Sequence, residues 1–337
     1  MRTQLTLAAL CAAAVATPLA SQTVIHTQKA TIELIGLKRW TKQMIDDSLS
    51  KYAPGDSLTG HACAAILRGK LRFADAAVNV ITNLPEYQFK NYVAITVVEP
   101  SDSAKIVYRP AFRDSLPTRA NWAAVVDAFK NHSGMTQLAL QTPSFYAKRL
   151  SSEDSTKFAA ITPLHALILE RTTATDFDLA IRTLESDGNT FNRVAAAIIL
   201  SSFADHDAAW WALIDAQRDP SGMVAGTALQ VARTMARSKA RTVDWAPLGP
   251  QVRHILNGTN LFSFSGTLSV LAATNVSPSL ATTLLSGGGG IVSAKLRSGD
   301  VLAKREIAAF LSRLSGLPAS SDVATFERWV EGLNGSP

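Results

Sequence analysis

Residues 192–200 read NRVAAAIIL and residues 222–230 read GMVAGTALQ. Shifted by 30 positions the two stretches superpose, with Val194 on Val224, Ala195 on Ala225 and Ile199 on Leu229. Each is apolar over more than one face of a helix, so neither can be satisfied on a solvated surface. Both need neighbours to bury against.

Working outward, the same design recurs. Asp176 to Glu185 predicts a helix with Asp176 as its N-cap and Phe177, Ala180, Ile181 and Leu184 on its apolar side. Asp187-Gly188-Asn189 predicts a turn before the 192–203 helix, and Asp205-His206-Asp207 breaks the chain again. Ala208 to Gln217 and Gly222 to Arg237 form the next pair, separated by Arg218-Asp219-Pro220. A third unit runs from Val252 to Leu256, breaks at Asn257-Gly258, and resumes from Phe262 to Ala273. A fourth joins Ser279–Leu285 to Val301–Leu314 around a flexible linker at Gly287–Gly290. Pro163 to Arg171 predicts a further helix before the array. Leu317-Pro318 ends the array, and Asp322 to Leu333 predicts a capping helix within 318–337. Helix pairs of 30 to 40 residues with alanine-rich second helices resemble HEAT-type α-solenoids over residues 156–317. The resemblance implies a two-layer stack whose curved surface is available to a partner.

Upstream the period changes from helical to alternating. Thr31 to Leu37 (TIELIGL) predicts a strand interrupted at Gly36. Thr41 precedes a helix carrying Met44, Ile45, Leu49 and Tyr52, and Leu58 to Leu67 gives a second helix. Phe73 to Ile81 alternates apolar and polar. Asn91 to Glu99 (NYVAITVVE) is rich in β-branched residues. The fold class is therefore α+β: a small β-α-α-β-β module at 28–100, a connector with one helix (Asn121–Lys130) at 101–155, and the helical array.

The order and motifs of 28–100 resemble a POTRA (polypeptide-transport-associated) domain of the bacterial envelope. The motifs are Ile35-Gly36-Leu37, Pro54-Gly55-Asp56-Ser57-Leu58, Leu71-Arg72-Phe73-Ala74-Asp75-Ala76-Ala77-Val78-Asn79-Val80, and Val97-Val98-Glu99-Pro100. Gly69 stands earlier than that pattern has it, and no β-barrel follows a single copy, which argues against a barrel-assembly channel. A three-stranded sheet of this kind has margins with unpaired N–H and C=O groups, to which a client strand can add. Tyr92, Ile95 and Val97 are the candidate partner-binding residues on such a margin.

Met1-Arg2-Thr3, the apolar run from Leu5 to Ala16, and Pro18-Leu19-Ala20-Ser21 follow the plan of a secretory signal peptide over residues 1–21. The apolar run is shorter than the roughly 20 residues a bilayer span needs. The expectation is an exported protein, periplasmic or extracellular, with no transmembrane segment once the leader is removed. Lys plus Arg number 33 and Asp plus Glu 27, a net charge of +6. The basic residues are scattered, which gives nucleic-acid binding no support. Two cysteines exclude a disulfide framework or a CxxC zinc site. Cys11 falls in the leader, and Cys63 reads as a small buried residue.

No catalytic constellation is present. His26, His61, His132, His165, His206 and His254 form no HExxH pair, no GxSxG elbow occurs, and Gly287–Gly290 lacks the Lys of a P-loop. Asp205-His206-Asp207 is the densest ligand-like trio, with Asp207 better read as the cap of the following helix. Asp46-Asp47 diverge on a helix, and of Trp210-Trp211 one ring enters the core and the other lies at its rim. No catalytic residue, metal or cofactor is assigned. The expected function is a non-enzymatic interaction protein of the envelope. It would capture an extended protein segment by strand addition, with the array as scaffold. The alternatives are an enzyme, such as a hydrolase, whose site forms between the halves, with Asp205, His206 and Asp207 as first suspects, and a structural spacer.

Overall fold

The computed structural model describes residues 23–117 and 173–334, apart from 29, 53, 55–57, 59–62, 83–84, 88–89, 239 and 286–289, together with 122, 123, 126, 127 and 130. The expected leader, most of the Pro54–Leu58 connection, the 163–171 helix, and His61, His132 and His165 lie outside the described residues.

The module is a four-stranded sheet. Strands β1 (Thr23–His26), β2 (Ala30–Ile35), β3 (Asp75–Ile81) and β4 (Asn91–Val98) are ordered β1-β2-β4-β3. β1 runs antiparallel to β2, β2 parallel to β4, and β4 antiparallel to β3. β1 was not expected. Four residues carry too little periodicity to announce a strand, yet they seal the outer side of β2.

Helices α1 (Lys42–Tyr52) and α2 (Cys63–Gly69) cover one face of the sheet. Ile45, Leu49, Cys63 and Leu67 pack there on Ile32, Leu34, Val93, Ile95 and Val97. The motif residues of the module hold its turns. Gly36 adopts φ +91°, and a Cβ there would stand 2.4 Å from the Val97 carbonyl oxygen. One oxygen of the buried Glu99 accepts the N–H groups of Lys38, Arg39 and Trp40 at 2.6, 2.9 and 2.9 Å.

The second half is a two-layer stack of helix pairs. α3 (Ala174–Ser186), α5 (Asp207–Asp215), α7 (Gly249–Leu256), α9 (Ala281–Leu285) and α12 (Val323–Asn334) touch in succession in one layer. α4 (Thr190–Ile199), α6 (Gly222–Ser238), α8 (Phe264–Ala273) and α11 (Val301–Ser315) do so in the other. The repeat-related residues Val194, Val224, Ala195, Ala225, Ile199 and Leu229 are all buried. A further helix, α10 (Gly290–Arg297), follows the 286–289 segment, where the sequence suggests only linker. Trp122 and Val126 of the connector helix belong to the same core.

Two cap assignments change. α3 is capped by Thr173, which forms a capping box with Asp176. α5 begins at His206, and Asp207 instead accepts from the Arg241 guanidinium and from the Asp244 N–H at 3.1 Å. Asp207 thus ties α5 to the chain beyond α6.

The sheet is covered on its other face by the array itself. Ile35, Ile81, Tyr92 and Ala94 meet Tyr87 and Ala294 there. Glu33, buried on this face, accepts from the Tyr92 hydroxyl and from the Gly299 N–H (2.6 Å). Tyr87 stacks on Tyr92 at 4.5 Å, donates to the Gly299 carbonyl (2.8 Å) and accepts from the Val301 N–H (2.9 Å).

After a 3-10 turn at Pro100–Lys105, residues 106–117 form no regular element and meet the inter-helix turns. The Arg109 N–H bonds the Arg218 carbonyl (2.7 Å), and its guanidinium pairs with Asp215 and donates to the Leu184 carbonyl. The Asp114 carbonyl accepts from the Gly188 N–H (2.7 Å), and the Leu116 N–H reaches Asp187 (3.0 Å). What the sequence reads as connector is a strap. Among the described residues, no helix is long and apolar enough to cross a membrane.

Candidate functional site at the free margin of the sheet

Tyr92, Ile95 and Val97 do not lie on a margin. β4 is hydrogen-bonded on both sides, to β2 and to β3. The three side chains are 2%, 0% and 0% exposed. The physical reason is in the strand. NYVAITVV is apolar at nearly every position, so both of its faces demand cover, and only a central strand supplies that. Ile95 and Val97 point at α1 and α2, and Tyr92 points at the array.

Among the described residues, the margins are β1 and β3. β1 is short and half exposed. β3 is different, because its margin is walled on both sides. The α2 residues Ala64 and Arg68 stand on one side. Gly222 and Gly226 of α6, with Asn260, Phe262 and Ser263 of the α7–α8 turn, stand on the other. Ala76, Ala77 and Val78 form the floor of a groove of about 280 Å³. Neither Gly222 nor Gly226 has a neighbouring atom within 4 Å of where a Cβ would be, so the helix leaves the groove open.

The groove is held by Asp75, the first residue of β3. Its carboxylate accepts from the N–H groups of Ala76 (2.8 Å) and Leu261 (3.0 Å) and from the Tyr108 hydroxyl (3.2 Å), with Arg68 at 3.5 Å. Burial pushes its pKa up against the pull of these partners. Burial and the Asp75 charge together push the Tyr108 phenol up. One carboxylate thus pins the strand, the α7–α8 turn and the strap. Asn260 carries that turn in a left-handed conformation (φ 55°) and donates to the Gln217 carbonyl at 2.9 Å. The result is that Phe262 stands 77% exposed on the rim. Ser263 beside it is fully buried, and its hydroxyl finds no partner among the described residues.

The other candidate residues are dispersed. The His206 ring packs on Phe177 (4.8 Å) and Phe203 (6.1 Å), while Asp207 is engaged by Arg241. Burial alone would raise the Asp207 pKa, but Arg241 and the Asp244 N–H hold it below the usual carboxylate range. Asp46 pairs with Lys42, and Asp47 with Gln43. Trp210 is buried and donates to the Ala204 carbonyl; Trp211, nearer the surface, donates to that of Asp244. Cys63 is buried on α2. Among the described residues no group of three His, Cys, Asp or Glu side chains could hold a metal ion.

The sequence marks Asp75 only as a position of the POTRA-like strand motif, and gives Phe262 and Ser263 no role at a site. An Asp at the start of an apolar strand and a Phe after the Asn257-Gly258 break are the available signals. Neither has meaning until the turn is placed against the strand. No family model matches the chain, and no curated protein or solved structure matches it significantly.

Proposed function

We propose that this chain is an exported, non-enzymatic interaction protein that takes up an extended segment of a protein partner by strand addition at β3. The single observation that carries the reading is the walled groove along the unpaired side of β3, with an exposed Phe262 on its rim. A free strand margin is ordinarily blunted by charge, proline or cover. Here, among the described residues, the margin is left open, and α2 and α6 flank it. An added strand would bond to the β3 backbone, and its side chains would alternate toward the two walls. The leader-like residues 1–21 support export. The POTRA-like motifs support a module of this use, and the helix stack, HEAT-like in pattern, serves as its mount.

The test uses peptides selected from a random library on the mature chain. Burying one Phe contributes about 1.5–3 kcal/mol, so Phe262→Ala should weaken the selected peptides about 10- to 150-fold. Gly226→Leu, which fills the groove, should abolish binding. N-methylation of alternate peptide amides should weaken binding in one register only. Peptides indifferent to all three changes would refute strand addition at this margin.

A further inference from the structure

A second concavity lies where β2 and β4 end, across β4 from the groove. It is a cleft of about 110 Å³ where the ends of β2 and β4 meet α10. We infer that it binds a carboxylate carried on a short branched aliphatic group. The inference is independent of the β3 groove and goes beyond the reading given for it.

The inner wall is apolar: Leu37, Val98, Ile291 and Ala294, with the Gly36 and Gly290 backbones leaving the space between them. The rim is cationic. Lys38 and Lys105 both converge on Asp102, at 2.8 Å on one oxygen and 2.9 Å on the other. Two ammonium groups thus share one carboxylate, and among the described residues one positive charge is left uncompensated and most of their six N–H donors uncommitted. Arg297, also on the rim, has its charge matched by Glu327 at 3.0 Å. Asp102 is held ionised below its ordinary range, since the two lysines outweigh the opposing effect of burial.

Size and charge together select the ligand. Apolar cavities of about 150 Å³ take benzene, so a smaller one takes a leucine-sized branched group and excludes long acyl chains. The free ammonium donors favour an anion at the mouth, where charge-assisted hydrogen bonds are about twice as strong as neutral ones. That chemistry has two sources, a free short branched acid and the terminal leucine of a peptide chain.

The experiment titrates the mature chain with isocaproate, isocaproamide, and a leucine-terminated tripeptide as free acid and as amide, following the methyl signals of Ile291 and Ala294. Each acid should perturb these methyls and bind about tenfold or more tighter than its amide. Lys105→Gln should reduce that preference severalfold, and Ala294→Leu, which fills the cleft, should remove binding. Tighter binding of the tripeptide identifies a chain terminus as the source, and tighter binding of isocaproate a free acid. Acid and amide of equal affinity, retained affinity in Ala294→Leu, or unmoved Ile291 signals with every probe would overturn the inference.

Discussion

Removal of the Glu33 carboxylate tests how the sheet is mounted on the helices. Both the Tyr92 hydroxyl and the Gly299 N–H end on the same oxygen of Glu33; Glu33 and Tyr92 are buried, and Gly299 is exposed. Glu33→Ala strands the buried Tyr92 hydroxyl, while the Gly299 N–H can turn to water. An unsatisfied buried donor costs about 1–3 kcal/mol, so the variant should lose about 1–3 kcal/mol. Glu33→Gln can place its carbonyl oxygen where both donors already point, and should lose about 1 kcal/mol, the charge assistance alone. The assay is urea unfolding followed by tryptophan fluorescence. Trp40 reports from the module, where it packs on Phe73 at 4.9 Å, and Trp210 and Trp245 report from the array core. In the wild type all signals should move together. In Glu33→Ala the Trp40 transition should come first, with a lower slope, as the module leaves its seat. A Gln variant as damaging as Ala would show that the charge, not the shared oxygen, matters. An Ala variant within about 0.5 kcal/mol of wild type would show that the latch carries no load.

Three further outcomes follow from the same interfaces. Arg109→Ala leaves Asp215 to Arg218 alone and the Leu184 carbonyl unmet, and should cost about 3–5 kcal/mol in urea unfolding; Arg109→Met should cost less because it retains packing. Gly258→Ala would place a methyl 2.6 Å from a Val98 methyl at φ 113°, and should lower the thermal midpoint with a loss of about 1–3 kcal/mol. Burial lowers the pKa of Lys295, against the opposing pull of Asp300, Glu306 and Glu33. A depressed amine binds fewer protons folded than unfolded, so its contribution to stability is present above its ordinary pKa of 10.5 and is lost as pH falls through the lowered folded value. The wild-type minus Lys295→Met stability difference should therefore climb with pH across the alkaline range, and a flat difference would contradict the assignment.

Much of the fold is legible from periodicity. The 30-residue shift that places Val194 on Val224 identifies two helices that lie side by side with those residues buried. Alternation at Ala76, Val78 and Val80 identifies a strand whose one face meets α1 and α2. What escaped depends on pairings distant in sequence. β1 gains its strand character only from the hydrogen bonds of β2. α10 begins in a glycine run and buries a lysine, so composition argues against it, and it forms because the sheet and α11 cover it. The strap reads as loop because Pro110 and Pro117 forbid regular pairing, yet the N–H groups of Val107, Arg109 and Leu116 find acceptors on the helix turns. The margin expected at β4 fails for a related reason: two-sided apolarity marks a strand as central, paired on both sides within the sheet.

The turns of the array show why its ridge serves as a mount. Three inter-helix turns each present a glycine to the first half of the chain. A Cβ at Gly188 would stand 2.8 Å from the Arg113 backbone, at Gly258 2.6 Å from Val98, and at Gly299 3.1 Å from Glu33. Larger residues would hold the strap and sheet away, so this ridge is shaped to the chain's own segments and is occupied by them. The consequence reaches the β3 groove, one wall of which belongs to α6 and the α7–α8 turn. A module tethered loosely would present the same strand without that wall, and a partner would bear the entropy of assembling both. Seating the sheet on Gly258 and Gly299 sets the distance between β3 and Phe262 before any partner arrives. Glu33→Ala lies on the latch and not on the groove. It should therefore weaken selected peptides through loss of that preset distance, while Glu33→Gln leaves their affinity close to wild type.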